Sequence, residues 1–214
     1  MNVLVIGANG QIGTRLVQKL KESSHHPKAM VREESQIEKF DAEGIETVLA
    51  DLEEDFGHAF QEVEAVVFTA GSGGHTPKSQ TKVIDRDGAI KAIKEAQKAE
   101  VKRFIMVSAL KANRSSENWS EAMQHYYEAK SAADEYLRNS GLDYTILMPG
   151  RLSNEDGTGN IDLGERIELD NRSITRDDVA SVIVEILDQE NTFGKSLELL
   201  QGNIPINEAV EKIQ

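Results

Sequence analysis

Short runs of consecutive apolar residues alternate along this chain with stretches in which apolar residues recur every three or four positions. The runs fall at residues 2–6, 28–31, 46–50, 65–69, 103–107 and 144–148. They lack the in-out alternation of a half-buried strand, so they predict central parallel strands covered on both faces. The helical pattern occupies residues 11–22, 33–42, a short piece near 54–60, then 80–100 and 120–140. Strand and helix in regular alternation predict an α/β chain with a right-handed, doubly wound parallel sheet.

After Pro149 the pattern loosens. The stretch "GRLSNEDGTGNIDLGERIEL" is rich in Gly, Asn and Asp and predicts loop, with room for one strand. A helix over 176–189, a strand near 196–200 and a short helix after Pro205 follow. No internal repeat, low-complexity tract or linker interrupts the pattern. The expectation is a single domain spanning residues 1–214 with a small C-terminal extension.

Composition narrows the function classes. A net charge of −13 argues against nucleic acid or an anionic membrane as partner, because phosphate surfaces attract basic proteins. The chain has no cysteine, which excludes disulfides, zinc thiolates and thiol nucleophiles together. No stretch approaches the roughly 20 apolar residues of a spanning helix. The first apolar run starts at once, without the basic segment and cleavage site of a secretory leader. These features predict a cytoplasmic protein, monomer or homodimer, that works on a small-molecule substrate.

The first apolar run leads straight into glycines at positions 7, 10 and 13 and then into a helical pattern. That context gives each glycine a task. Gly7 permits a tight turn, Gly10 lets the backbone approach a pyrophosphate, and Gly13 lets helix and strand pack closely. The pyrophosphate would lie at the positive end of the helix, cradled by Gly7, Asn9, Gly10, Gln11, Ile12 and Gly13. The residue ending the second strand contacts the adenosine ribose in such sites. Here it is followed by Arg32, whose guanidinium suits a 2′-phosphate and selects NADP over NAD, and Arg15 is a second candidate for that phosphate. Asp51 and Leu52, after the third strand, border the adenine or form the N-cap of the next helix.

The segments "VLVIGANGQIG", "MVR", "ADLE", "VVFTAGSGG", "VIDRDGAIKAI", "KRFIMVSAL", "YYEAK", "YTILMPGRL" and "ITRDDVA" occur in this order over nearly the whole chain. In order and spacing the chain resembles the atypical short-chain dehydrogenase/reductases, a Rossmann family. It is most similar to small bacterial NAD(P)-dependent sugar epimerase or epimerase/dehydratase-like proteins. The resemblance implies that Thr69, Ala70 and Gly71 line the cofactor, that Ser108 and Ala109 lie near the nicotinamide, and that Pro149, Gly150 and Arg151 lie on its other side. The C-terminal region is too small for the sugar-nucleotide lobe of full epimerases.

Tyr126 and Lys130, four residues apart, share one helical face. A tyrosine with a pKa of about 10 is a poor proton shuttle at neutral pH. A neighbouring ammonium and the positive nicotinamide favour the phenolate, which makes Tyr126 the candidate acid–base residue. By resemblance Lys130 also reaches the nicotinamide ribose. The chain departs from the family at Asp85, which stands where an active-site asparagine is expected; its charge would raise the tyrosine's pKa. Ser108 is the candidate catalytic serine. The family's serine more often lies two residues later, where this chain has Leu110, and Ser115 and Ser116 are loop alternatives.

The remaining features read as structural. His25 and His26 fall in a predicted surface turn, and His58, His75 and His125 lack metal-ligand spacing, so no metal is expected. Glu53, Glu54 and Asp55 suit a solvated helix start, while Asp177 and Asp178 suit the cap and start of the late helix. Trp119 and Met123 are expected on the helix of Tyr126, in the core or as an apolar wall. Three functions fit: an NADP-dependent oxidoreductase or epimerase-like enzyme, a non-catalytic NADP-binding sensor of the NmrA-like kind, or a flavin or biliverdin reductase-like enzyme.

Overall fold

A computed structural model describes residues 1–73, 77–168 and 172–214. Its chain order is β1 (Asn2–Ile6), α1 (Gln11–Lys21), β2 (His26–Val31), α2 (Ile37–Asp41), β3 (Glu46–Leu49) and β4 (Ala65–Phe68). Then come α3 (Lys78–Thr81), a π-helical stretch (Lys82–Gly88), α4 (Ala89–Lys98), β5 (Arg103–Val107), α5 (Gln124–Arg138) and β6 (Asp143–Pro149). The chain continues with β7 (Arg151–Ser153), β8 (Asn160–Gly164), β9 (Ser173–Thr175) and α6 (Arg176–Ile186). It closes with β10 (Lys195–Gln201), β11 (Ile204–Pro205) and α7 (Ile206–Glu211).

The main sheet runs β11-β8-β10-β6-β5-β4-β1-β2-β3. From β3 to β10 every neighbouring pair is parallel, while β8 joins β10 and β11 antiparallel. This is the doubly wound parallel sheet expected from the sequence. The chain winds outward from β1 to β3, then crosses to β4 and winds the other way, leaving a switch point between β1 and β4. The C-terminal extension continues this sheet through β10, β8 and β11.

The apolar runs have a simple cause. Val3 and Val5 of β1 face one core layer and Leu4 and Ile6 the other; Ala65 and Val67 oppose Val66 and Phe68 in β4 in the same way. Side chains alternate across a strand, so a strand with helices on both faces must be apolar throughout. One layer holds Leu16, Val17 and Leu20 of α1 with Val179, Val182 and Ile183 of α6. The opposite layer holds Ala92, Ile93 and Ala96 of α4 with Ala133 and Leu137 of α5.

Several local expectations are corrected. The stretch 150–169 carries two short strands, β7 and β8, instead of one, and β9 follows before α6; pairing with distant partners creates them, and residues 169–171 lie outside the described residues. The helix expected at 80–100 passes through the π-helical stretch, and the one expected at 120–140 starts only at Gln124. Trp119 therefore precedes the helix, and Met123 is its N-cap. Near residue 54 only a short 3-10 turn forms, Gly57–Phe60. His25 is buried, with Nδ1 3.4 Å from the N-terminal amine and Nε2 3.5 Å from Asp188, while His26 opens β2.

Arg103, at the start of β5, is also buried. Its guanidinium donates to the carbonyls of Ile186 (2.6 Å), Leu187 (3.1 Å) and Asp143 (3.0 Å), and so closes the C-terminus of α6 against the sheet. Burial lowers its pKa to about 10, which still leaves it charged at neutral pH.

Candidate functional site

Parallel strands end on one edge of the sheet, and the predicted site residues collect there. At the end of β1, Gly7 has φ +88°, the left-handed region open to glycine, and a Cβ there would press into Ala70 after β4. A Cβ on Gly13 would overlap the Gly7 carbonyl and the Ala8 backbone. The two positions exclude side chains for different reasons, one conformational and one steric. The Thr69 hydroxyl donates to the Ile6 carbonyl (3.0 Å) and ties the end of β4 to this turn.

Helix α1 starts at Gly10 with no side-chain cap and no acidic residue in its first turn. Its first amides and its positive end thus face outward, with Asn9, Gly10 and Gln11 exposed. A helix terminus without a side-chain cap, behind a turn of glycines and small residues, fits a pyrophosphate. Arg15 bonds back to the Gln11 carbonyl at 2.8 Å. It lies close enough to Arg176 of α6 that, after burial, its charge further lowers the Arg176 pKa. Arg32 is exposed beyond β2, its Nε 3.4 Å from Glu33. Asp51 accepts from the Glu53 amide (3.0 Å), an Asx turn, and Leu52 lies against the Gly88 backbone of the π-helical stretch.

A second group gathers around β4, β5 and α5. Lys130 is 3% exposed; its Nζ is 3.1 Å from Asp85 Oδ1 and donates to the Val107 carbonyl at 3.2 Å. Asp85, fully buried in the π-helical stretch, accepts from the Ser72 amide at 2.9 Å through its other oxygen. Gly71 lies close beside it: a Cβ there would stand 3.1 Å from Asp85 Oδ1. The Tyr126 ring lies one helical turn before Lys130, with Nζ 5.9 Å from its centroid. Burial raises the Tyr126 pKa; Lys130 opposes this, while Asp85 and Asp134 add to it. For Lys130, burial would lower the pKa, but Tyr126 and Asp85 outweigh it and the net shift is upward.

Ser108 ends β5, and its hydroxyl donates to Asp134 at 2.6 Å. Burial raises the Asp134 pKa to about 6 despite that bond and the nearby Lys130. Asp134 went unrecognised in the sequence, yet its spacing was a signal: Tyr126, Lys130 and Asp134 lie at i, i+4 and i+8 on one stripe of α5. Lys39 of α2 was also missed. It bonds Asn9 and Thr14 across the glycine turn, a tertiary contact with no spacing signature.

Gly150 follows β6, bonded to the Leu199 carbonyl at 2.9 Å and packed so closely that a Cβ would overlap Leu200. Pro149 is buried at the end of β6, and Arg151 is exposed in β7. The rings of Trp119 and Tyr127 meet at a tilt of 41° with centroids 5.6 Å apart, and Tyr127 meets Tyr126 edge-on at 5.5 Å. Asp177 and Asp178 start α6 as expected, but its cap is corrected: Thr175 caps it by accepting from the Asp178 amide, while the Asp178 carboxylate accepts from the Thr158 and Gly159 amides. Asp177 pairs with Lys19 at 3.1 Å. The imidazole of His58 meets the Leu49 carbonyl at 3.0 Å, while His75 lies outside the described residues.

A glycine turn between β1 and α1, at the carboxyl edge of a doubly wound sheet, defines a dinucleotide-binding protein of the Rossmann class. The chain belongs to the NAD(P)H-binding family, whose pattern matches residues 7–190. It is 48% identical to the uncharacterized sugar epimerase YhfK of Bacillus subtilis (strain 168) over 217 residues, covering 100% of both chains. A solved structure from Bacillus halodurans, provisionally named an NAD-dependent epimerase/dehydratase, is 48% identical with a TM-score of 0.96 and 99% of each chain covered. The oxidoreductase ylbE of Lactococcus lactis is 31% identical with a TM-score of 0.88, covering 100% of this chain and 96% of that one. The resemblance read from the motifs to an NAD(P)-binding, epimerase-like Rossmann protein agrees with these findings.

Proposed function

We propose that this protein is an NADP-dependent oxidoreductase or epimerase-like enzyme acting on a hydroxyl or carbonyl group of a small molecule. The observation that carries the reading is the placement of Tyr126 one turn before a buried Lys130 whose ammonium is fixed by Asp85 and the Val107 carbonyl. A bound nicotinamide cofactor supplies or accepts the hydride. The remaining work falls to the protein's own groups.

Tyr126 holds the proton. With its pKa raised, the phenol stays protonated at neutral pH and is ready to donate to a substrate carbonyl oxygen. Lys130 limits the cost of the tyrosinate left behind, since an ammonium within a few ångströms favours the charged form. Asp85 positions Lys130, and by bonding the Ser72 amide it also positions the loop after β4. The arrangement suits carbonyl reduction better than alcohol oxidation, where a lowered tyrosine pKa is wanted.

A second reading, a flavin or biliverdin reductase-like enzyme, draws on the clustered rings of Trp119, Tyr127 and Tyr126, which offer an apolar wall for a flat substrate. A crystal structure with NADP(H) separates the two. The first reading expects the Tyr126 oxygen to face nicotinamide C4 with room for one carbonyl group between them. A Tyr126 oxygen turned away from C4, with the rings lining the space above the nicotinamide, contradicts it.

A further inference from the structure

Two neutral oxygens hold a cation across the glycine turn. Lys39, on α2, places Nζ 3.1 Å from Asn9 Oδ1 and 3.1 Å from Thr14 Oγ1. Among the described residues, no carboxylate pairs with this ammonium. The lysine thus bridges the two elements that flank the adenosine half of a dinucleotide site, the turn after β1 and the segment after β2. Helix α1 adds its own positive end there, uncapped and without an acidic residue in its first turn.

Arg32, the cation the sequence points to, is differently placed. Its side chain is 69% exposed and its Nε lies 3.4 Å from Glu33. Glu34 follows directly, so a phosphate bound by Arg32 alone would face two acidic neighbours. An exposed lysine side chain has ample rotamer freedom. Here it is directed inward onto Asn9 and Thr14, where the ammonium keeps a third donor. The Asn9 amide NH₂ can also donate to a phosphate oxygen, whereas the Thr14 hydroxyl donates its one proton to the Ala8 carbonyl at 3.2 Å and serves Lys39 as an acceptor.

We infer that Lys39 is the specificity-determining residue for the 2′-phosphate monoester of the cofactor, with Asn9 and Thr14 as the acceptors that position it, the Asn9 amide as a further donor, and Arg32 secondary. The inference rests on the NADP reading and says which residue enforces it. A compact dianion suits an ammonium at a helix terminus, whereas the two ribose hydroxyls of NAD offer that charge nothing to neutralise.

Titration calorimetry with NADPH and NADH on the parent protein, Lys39→Gln and Arg32→Gln tests it. Lys39 is exposed, so thermal melting of Lys39→Gln should match the parent. The expected result is a parent that prefers NADPH, a Lys39→Gln variant that loses about tenfold or more in NADPH affinity with NADH affinity unchanged, and a smaller loss for Arg32→Gln. An NADPH preference that survives Lys39→Gln but falls in Arg32→Gln overturns this inference and leaves the NADP reading intact. Equal affinities for the two cofactors in the parent protein overturn both.

Discussion

The ammonium of Lys130 and the carboxylate of Asp85 form a buried ion pair, Nζ to Oδ1 3.1 Å, with both side chains almost wholly out of solvent. The pair settles where the charge of an aspartate at the asparagine position goes. Asp85 is bound by Lys130 on one oxygen and by the Ser72 amide on the other. It still contributes to the raised pKa of Tyr126.

Asp85→Asn removes that contribution. The Tyr126 pKa should fall, so the alkaline decline of kcat/KM for carbonyl reduction should move to lower pH. Breaking a buried pair while leaving Lys130 in place should also cost roughly 3 kcal/mol of stability. Spectrophotometric titration of the tyrosinate and a denaturant melt check both. An unmoved or raised Tyr126 pKa would contradict the electrostatic account.

Asp134 gives the fold a pH dependence of its own. Its pKa of about 6 in the folded protein, against an ordinary 3.8, means that folding favours the neutral carboxyl. Between about pH 4 and 6 the unfolded chain releases this proton first, so stability falls as the pH rises, by roughly 3 kcal/mol across that window. Asp134→Asn stays neutral and still accepts from Ser108. Its stability relative to the parent should therefore rise through the window and level off above it. Chemical denaturation at several pH values reads this directly, and a gap that does not change with pH would refute it.

The glycine turn separates folding from binding. A Cβ at Gly13 overlaps the backbone of Gly7 and Ala8, so Gly13→Ala should lose roughly 1–3 kcal/mol of stability. Gly10 is exposed with a φ of −74° that suits any residue, and a Cβ there meets only the Gly7 carbonyl, at 3.1 Å, so Gly10→Val should fold at a smaller cost than Gly13→Ala while its side chain blocks the pyrophosphate. In the parent, cofactor at 100 times its Kd should stabilise the fold by about 2.7 kcal/mol. The same stabilisation in Gly10→Val would place the phosphates elsewhere.

The central strands were legible because burial on both faces leaves a strand no choice but an apolar run, as in "VLVI" and "RFIMV". The glycine turn was legible because Gly7 and Gly13 answer local demands of conformation and packing. What escaped notice depends on partners far away in the chain. Three short strands form after Pro149 because β8 pairs with β10 and β11 and β7 pairs with β9, none of which local polarity announces. His25 reads as a surface histidine until the N-terminus and Asp188 enclose it. The π-helical stretch that carries Asp85 inward has the same composition as an α-helix. Asp134 stood in view at four residues beyond Lys130, but an aspartate on a helix face reads as solvated until the packing buries it.

The most direct measurement of the central claim is the effect of Tyr126→Phe on the rate of reduction of small aldehydes, quinones and sugar derivatives by NADPH. If Tyr126 transfers the proton, the variant should bind cofactor like the parent and lose about 10²–10⁴-fold in kcat on any substrate the parent turns over. A rate unchanged by Tyr126→Phe would contradict the claim and move the chemistry to a hydride transfer that needs no protein acid.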